Sequence, residues 1–493
     1  MNTSIQPTSV TCRFRPLPFL VYGGIISALL FAFFSHWAYD DPFITFRYAK
    51  NLRTGLGFVY NPGERVLSTT TPLYTLLLAV CSFLWSDLPR LSNLIGAVSL
   101  TSGSIALYVL GCRWNRPLAG FFAAILLPLF PLMVSTFGAE TCLYVMLTLW
   151  AFVLHAKGQH MGAMGLAALA TLTRADGVLV GIVLGIDLLI KQRRIPWRPI
   201  ALFGVLIAPW YLFSWAYFGS PFPVTLAAKQ HQAEMAISEH FAQGFVRLLR
   251  GYGRYPLYWL QGGLAFIGLG HAASRSRRWM LLPAWGILYF ISYSLLGVSR
   301  YFWYYAPLVP PFLVLVGLGT ETLVRWAGMN VRRGWLPRCG IGLLLLLLCL
   351  PQLSGLRYLY THPDSRAGIY REVGEWLAKN TPPEASIGAL EVGSIGYYAD
   401  RRMIDFAGLI QPDVGQQMRY ETTYEDTAIW AVHQYHPNYL VLNPGWFPRL
   451  MEEVVKQACT PLKEFTRADY PGILVVYTCD TSEPSLTSEP IRK

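Results

Sequence analysis

Two adjacent acids, Asp40 and Asp41, stand just past the first long apolar run, in the stretch HWAYDDPFITFRYAKNLRTGLGFVYNPGE (residues 36–64). Carboxylates beside hydrocarbon are costly, and those that persist there usually serve a function. A carboxylate so placed can take a proton as a general base, and a pair can bind a divalent cation such as Mg or Mn, with Asp41 the candidate ligand. Pro42 suits the first position of a helix and Asp41 the N-cap before it. That helix is expected from Phe43 to about Arg53, ending near Gly55 and Gly57. Capping gives Asp41 a structural duty; Asp40 has none. The candidate cations are Arg47, Arg174, Lys229 and Arg300, Arg suited to bidentate contact with an anion and Lys to a point-charge contact. Tyr48, Glu140, Asp176, His231 and Tyr301 complete the polar candidates. Each has a plainer reading. Arg47 can snorkel to headgroups, Glu140 suits a helix N-terminus, and the aromatic run Tyr301, Phe302, Trp303, Tyr304, Tyr305 reads first as an interfacial belt.

The elements that must position these groups are membrane helices. The chain has 493 residues, 53% hydrophobic and 14% charged, against roughly 25% charge for a soluble protein. Its apolar stretches reach about 18 to 22 residues, enough to cross a bilayer, and runs such as GIGLLLLLLCLPQLSGL lack the alternation of a barrel strand. The net charge of +12 reads as cytoplasmic loop bias rather than nucleic-acid binding. The first run lacks a small-residue cleavage site and reads as an anchor.

Basic clusters recur at Arg13/Arg15, Arg113/Arg116, Lys157, Lys191/Arg193/Arg194/Arg198, Arg275/Arg277/Arg278 and Arg325/Arg332/Arg333/Arg338. If all face the cytoplasm, an even number of crossings separates successive clusters. TPLYTLLLAVCSFLW (71–85) is then best read as a juxtamembrane or re-entrant helix on the outer side. The expected crossings are about 18–38, 91–112, 118–135, 140–156, 160–173, 177–191, 199–218, 255–273, 279–297, 301–323 and 339–357, eleven in all. The N-terminus is inside, the C-terminus outside, and the candidate residues gather on the outer face. A polytopic helical domain over 1–358, with a first outer loop at 39–90, is followed by a composition change. PNYLVLN and GILVVYTC read as strands of a small outer α/β domain at 359–480, and 481–493 as a disordered tail. Cys459 and Cys479 both fall in the outer domain, where an oxidising compartment would let them pair.

The opening loop resembles that of the GT-C superfamily, integral-membrane glycosyltransferases that use polyprenyl-phosphate sugars. YDD and TTPLYTLLLA are similar in type and order to the acidic pair and juxtamembrane helix of the protein O-mannosyltransferase and aminoarabinose transferase branches. DDPFITFRYAKNLRTGLGFVYNPGE is closer still to the mycobacterial terminal arabinofuranosyltransferase family. That similarity continues through GAET (138–141), TRADG (173–177) and PFPVTLAAK (221–229), and more loosely into RYFWYYAP and the outer domain. The resemblance implies a GT-C fold in a bacterial plasma membrane. It also implies an inverting transfer of a pentose or hexose from a polyprenyl phosphate to a glycan, lipid or protein acceptor.

By motif position Asp40 matches the base, and Asp41 the partner that orients it or touches a metal. Arg47, Arg174, Lys229 and Arg300 are the expected phosphate contacts, and Tyr48, Glu140, Asp176, His231 and Tyr301 the expected substrate contacts. Two other readings stay open. A lipid-linked sugar transporter predicts charges along a path through mid-span and internal symmetry, neither of which the sequence shows. A non-catalytic glycan-binding scaffold predicts that Asp40, Glu140 and Arg174 lie on separate faces.

Overall fold

The structure is a computed structural model that describes residues 16–275, 277–328 and 335–480. Arg13, Arg15, Arg332, Arg333 and the C-terminal 481–493 stretch lie outside the described residues. Among the described residues, six segments are long and apolar enough to cross a membrane: Leu17–Phe34, Leu88–Arg113, Trp197–Phe218, Arg277–Leu296, Phe302–Trp326 and Trp335–Asn380. Pro117–Leu126, Thr141–Ala156 and His160–Thr173 are apolar but shorter. The expected single span at 118–135 is instead a ten-residue helix followed by a turn and the short helix Pro131–Val134. Pro128 and Pro131 each lack an amide hydrogen, which interrupts the helical ladder there. The helix Pro72–Cys81 has 10 residues. At about 1.5 Å per residue it is too short to cross about 30 Å of hydrocarbon.

Close helix contacts in the membrane body are made by small residues, which let backbones approach where lipid offers no hydrophobic drive. The Pro256–Arg275 helix crosses the Val309–Trp326 helix at Gly268 and Gly319. A Cβ on Gly268 would stand 2.0 Å from the Leu315 carbonyl oxygen, and one on Gly319 1.8 Å from that of Leu264.

The C-terminal domain, named the outer domain after the side of the membrane expected for it, holds a five-stranded mixed sheet of order β2-β1-β3-β5-β4, with β1 Ser386–Ala389, β2 Arg402–Asp405, β3 Tyr439–Leu442, β4 Cys459–Phe465 and β5 Leu474–Cys479. β1 runs parallel to both β2 and β3; β5 is antiparallel to β3 and β4. Cys459 and Cys479 face each other in the β4–β5 register and are disulfide-bonded.

The helix Pro42–Arg53 joins the two halves because its side chains face both ways. Phe43 and Phe46, three residues apart and so neighbours on one face, pack with Tyr74, Leu78, Leu88 and Leu91. Ile44 and Tyr48, four apart, join Phe58, Tyr60 and Leu67 in one core with Ile369, Tyr370 and Val373 of the outer domain. The first loop and the outer domain thus share a hydrophobic core.

Candidate active site

The acidic pair sits where the first loop meets the outer domain, and its two members have opposite surroundings. The Asp40 carboxylate accepts from the Gly393 amide at 2.9 Å and the Ser394 amide at 2.7 Å. It therefore caps the helix Gly393–Ala399, supplying an anion to unpaired N-terminal amides. No capping duty for Asp40 is legible in sequence because this helix is some 350 positions away in the chain. Asp41 makes no side-chain cap to its own helix, contrary to expectation. Its carboxylate instead lies 3.4 Å from the Lys229 ammonium, with about a third of the side chain exposed.

Two cavities meet at Asp41. One, of about 880 Å³, lies between the membrane body and the outer domain and is lined by Asp40, Arg300, Tyr301, Arg366 and Glu391 among others. The other, of about 370 Å³, is lined by Glu140, Arg174, Asp176, Lys229 and Ser68–Thr71. Tyr39, Asp41, Trp303 and Leu409 border both. Asp40, Glu140 and Arg174 are therefore not dispersed: they line two adjoining cavities.

Of the expected cations, Lys229 and Arg300 keep donors for a ligand. Lys229 is held under the rings of Tyr301, Trp303 and Tyr304, with centroids 4.7, 5.3 and 5.6 Å away. Burial alone would push its ammonium toward neutrality; the Asp41 charge and the Tyr304 and Tyr301 hydroxyls outweigh this and keep it charged. Three rings of the aromatic run at 301–305 thus lie over this ammonium. Arg300 pairs with Glu239 at 3.5 Å and is partly exposed on the larger cavity.

Arg174 is closed in a network with Glu140 at 2.9 Å, Asp176 at 2.9 Å and the Tyr293 hydroxyl at 2.9 Å. This network forms one wall of the smaller cavity rather than an open anion site.

Three further expectations fail on geometry. Arg47 is 1% exposed and lines neither cavity. Its guanidinium donates to the Tyr60 carbonyl at 2.9 Å, the Gly396 carbonyl at 2.6 Å and the Arg401 carbonyl, and stacks on the Tyr60 ring. It clamps the outer domain and has no nitrogen left for phosphate. Tyr48 is fully buried, donating to the Val66 carbonyl and accepting from the Ser68 amide. His231 lines neither cavity and contacts the Gly415 carbonyl at 3.0 Å, again a contact to the outer domain. Tyr301 lines the larger cavity and donates to Gln232 at 2.7 Å.

The groups that sequence reading missed come from the outer domain. Glu391 follows β1, whose parallel neighbours lie on either side, and the crevice beyond such strand ends is a common ligand site in α/β sheets. That position was the available signal. Glu391 pairs with Arg366 at 3.3 Å, and Arg366 also holds Asp364 at 2.8 Å. Burial and then the Asp40 charge push the Glu391 carboxyl up to about 8. Burial likewise lifts Asp40 to about 6, against the pull of the Ser394 and Gly393 amides. Asp405 reaches about 7 through burial, although the Ile410, Ala407 and Leu409 amides oppose the shift.

A divalent ion at Asp41 is poorly matched to this donor set. Both Asp40 oxygens accept amides, a Lys ammonium faces Asp41, and among the described residues no group of three His, Cys, Asp or Glu side chains converges.

A family model described as a domain of unknown function (DUF8728) matches residues 359–482. The terminal β-(1→2)-arabinofuranosyltransferase of Mycobacterium tuberculosis is 28% identical over 377 residues, covering 69% of this chain and 55% of the relative. The chain thus spans about half the length of that curated relative. The crystal structure of ArnT from Cupriavidus metallidurans bound to undecaprenyl phosphate superposes with a TM-score of 0.64 at 14% identity, covering 97% of this chain and all of that one. AglB, the oligosaccharyltransferase of Archaeoglobus fulgidus, in complex with an inhibitory peptide and a dolichol phosphate, gives 0.60 at 12% identity, covering 93% and 74%. It has also been solved with Zn and sulfate. The fold is the GT-C fold, as the opening loop implied.

Proposed function

We propose that the protein is an inverting glycosyltransferase that moves a sugar from a polyprenyl-phosphate donor to an acceptor on the outer face of a bacterial plasma membrane. Homology to the arabinofuranosyltransferase and the fold shared with ArnT and AglB support this class of reaction. We further propose eleven crossings, the one at 118–135 broken near Pro128 and Pro131, with the N-terminus cytoplasmic, the domain at 359–480 outside, and the donor sugar a pentose or hexose.

The observation that carries the chemistry is Asp41, open to two cavities and 3.4 Å from Lys229. The smaller cavity suits the donor. Phe222 and Leu226 on its rim are exposed, as is fitting for a wall met by lipid. Its Ser68 and Thr225 hydroxyls have no partner among the described residues. The Lys229 ammonium and these hydroxyls would hold the phosphate oxygens. The acceptor would enter through the larger cavity. Its hydroxyl oxygen attacks the anomeric carbon as Asp41 takes the proton. The bond from that carbon to the phosphate oxygen breaks with its electron pair leaving on the phosphate. Lys229 stabilises that charge, and Asp41 and Asp40 lie near the cationic sugar centre. Attack opposite the leaving group inverts the configuration. Lys229 supplies the positive charge at the phosphate, so no step is assigned to a metal.

The test is transfer by purified protein from a panel of undecaprenyl-phosphate pentoses and hexoses, with the product's anomeric configuration read by NMR. Transfer with inversion is expected. Retention of configuration, or no transfer from any donor by protein that binds undecaprenyl phosphate, would defeat the proposal.

A further inference from the structure

The outer domain contributes more than a cover to the larger cavity. Leu390, Glu391 and Val392 from the end of β1, Leu409, Tyr424 and Arg366 form one wall of it, beside Asp40. This wall is fixed in position. Tyr60 donates to the Val392 carbonyl at 2.6 Å, and Asn61 both donates to and accepts from Met403. Asp40 holds the next two amides after Val392.

The lining has two parts. Tyr252, Tyr255, Tyr258, Tyr301, Trp303 and Tyr358 give a largely aromatic surface. Charged groups are few and paired: Arg247 and Arg300 with Glu239, Arg366 with Asp364 and Glu391. A cavity of this kind, apolar faces with a few convergent polar groups, orients its ligand through those groups. With Asp40 and Asp41 lining the cavity and each Arg beside a carboxylate, an anionic ligand is disfavoured by like charge. A neutral ligand with flat apolar faces and adjacent hydroxyls matches both parts. Its volume of about 880 Å³ lies near the top of the roughly 300–1,000 Å³ range of small-molecule sites, room for more than one sugar ring.

We propose that this cavity is the acceptor subsite, that the acceptor is a neutral glycan, and that Glu391 with Arg366 determines which hydroxyl pattern it admits. The inference rests on the glycosyltransferase reading for the word acceptor, but not for glycan binding itself. Each side-chain nitrogen of Arg366 already donates to Asp364 or Glu391, so Arg366 positions the Glu391 carboxyl. Glu391, protonated at neutral pH by its burial, both donates and accepts, and a hydroxyl needs both.

The experiment uses the full chain in lipid nanodiscs, free of sugar-based detergent. The probes are octyl glycosides of neutral pentofuranosyl and hexopyranosyl disaccharides, with undecaprenyl phosphate as the donor-side probe. Saturable binding of at least one glycoside is expected. Glu391→Ala and Arg366→Ala should each raise its Kd at least tenfold, with undecaprenyl phosphate affinity within twofold of wild type. Glu391→Gln, which keeps a donor and an acceptor, should retain glycoside affinity near pH 7. Unchanged glycoside Kd in Glu391→Ala, or a preference for a phosphorylated glycoside, overturns the proposal. If glycoside binding follows Glu391 but no donor yields transfer, the subsite stands and the enzymatic reading falls. If transfer occurs and its acceptor KM ignores Glu391 and Arg366, the enzymatic reading stands and the subsite falls.

Discussion

Asp40→Asn and Asp41→Asn should have different consequences. Asp41 alone of the two opens onto both cavities, and its nearest cation is Lys229 at 3.4 Å. Asparagine there keeps the shape but cannot take a proton. A positioned general base contributes about 10²–10⁴-fold, so kcat should fall by that factor, about 3–5 kcal/mol of barrier. Asp40 is different because its carboxylate accepts two amides of the outer-domain helix at 2.9 and 2.7 Å. A hydrogen bond to a charged group is worth about 1.5–3 kcal/mol and a neutral one about 0.5–1.5. Asparagine keeps one acceptor oxygen but turns an NH2 group toward the other amide, so it should cost about 2–4 kcal/mol of domain docking, lowering the melting temperature, with less than about a tenfold loss in kcat. The assay is single-turnover transfer with saturating donor, run beside thermal unfolding of each variant. Asp40→Asn abolishing transfer at wild-type melting temperature, with Asp41→Asn keeping a tenth or more of kcat, would refute this assignment and return the base to Asp40.

Three further outcomes follow from the same geometry. Lys229→Gln should weaken undecaprenyl phosphate binding by about 10–150-fold, the loss of a charge-assisted contact of about 1.5–3 kcal/mol, measured by titration in nanodiscs. Gly396→Ala would set a Cβ 2.0 Å from the Tyr60 hydroxyl and 3.1 Å from an Arg47 nitrogen; the outer domain should undock, seen as faster proteolysis beyond residue 359 than in wild type. Glu391 carries a raised folded value of about 8 against an ordinary 4.5, so its contribution to stability is complete below pH 4.5 and is lost as pH rises through 8. The melting temperature of wild type should fall more steeply than that of Glu391→Gln between pH 5 and 9, and parallel curves would contradict the burial of this carboxyl.

The sequence by itself determined the class of the molecule. Apolar runs leave only helices or closed barrels in a bilayer, and these runs lack barrel alternation. Pro42 and the sequence up to Arg53 specified the helix after the acidic pair, and Pro72–Cys81 was legible as too short to cross. The loop motif gave the GT-C fold, and TRADG gave the Arg174–Asp176 pair because its partners are two residues apart.

What the sequence could not assign were the roles of residues whose partners lie hundreds of positions away. Arg47 reads as a free cation until Gly396 and Arg401 occupy its guanidinium. Asp40 reads as the spare acid and Asp41 as the cap, and docking of the Gly393–Ala399 helix reverses this. Glu391 has no local pattern to mark it; it becomes a site residue when the end of β1 joins Asp40 and Asp41 in lining one cavity. Local structure follows from short-range propensity and periodicity, which a chain carries in order. A hydrogen bond depends on which groups meet, and here the meeting is set by the core that the first loop shares with the outer domain.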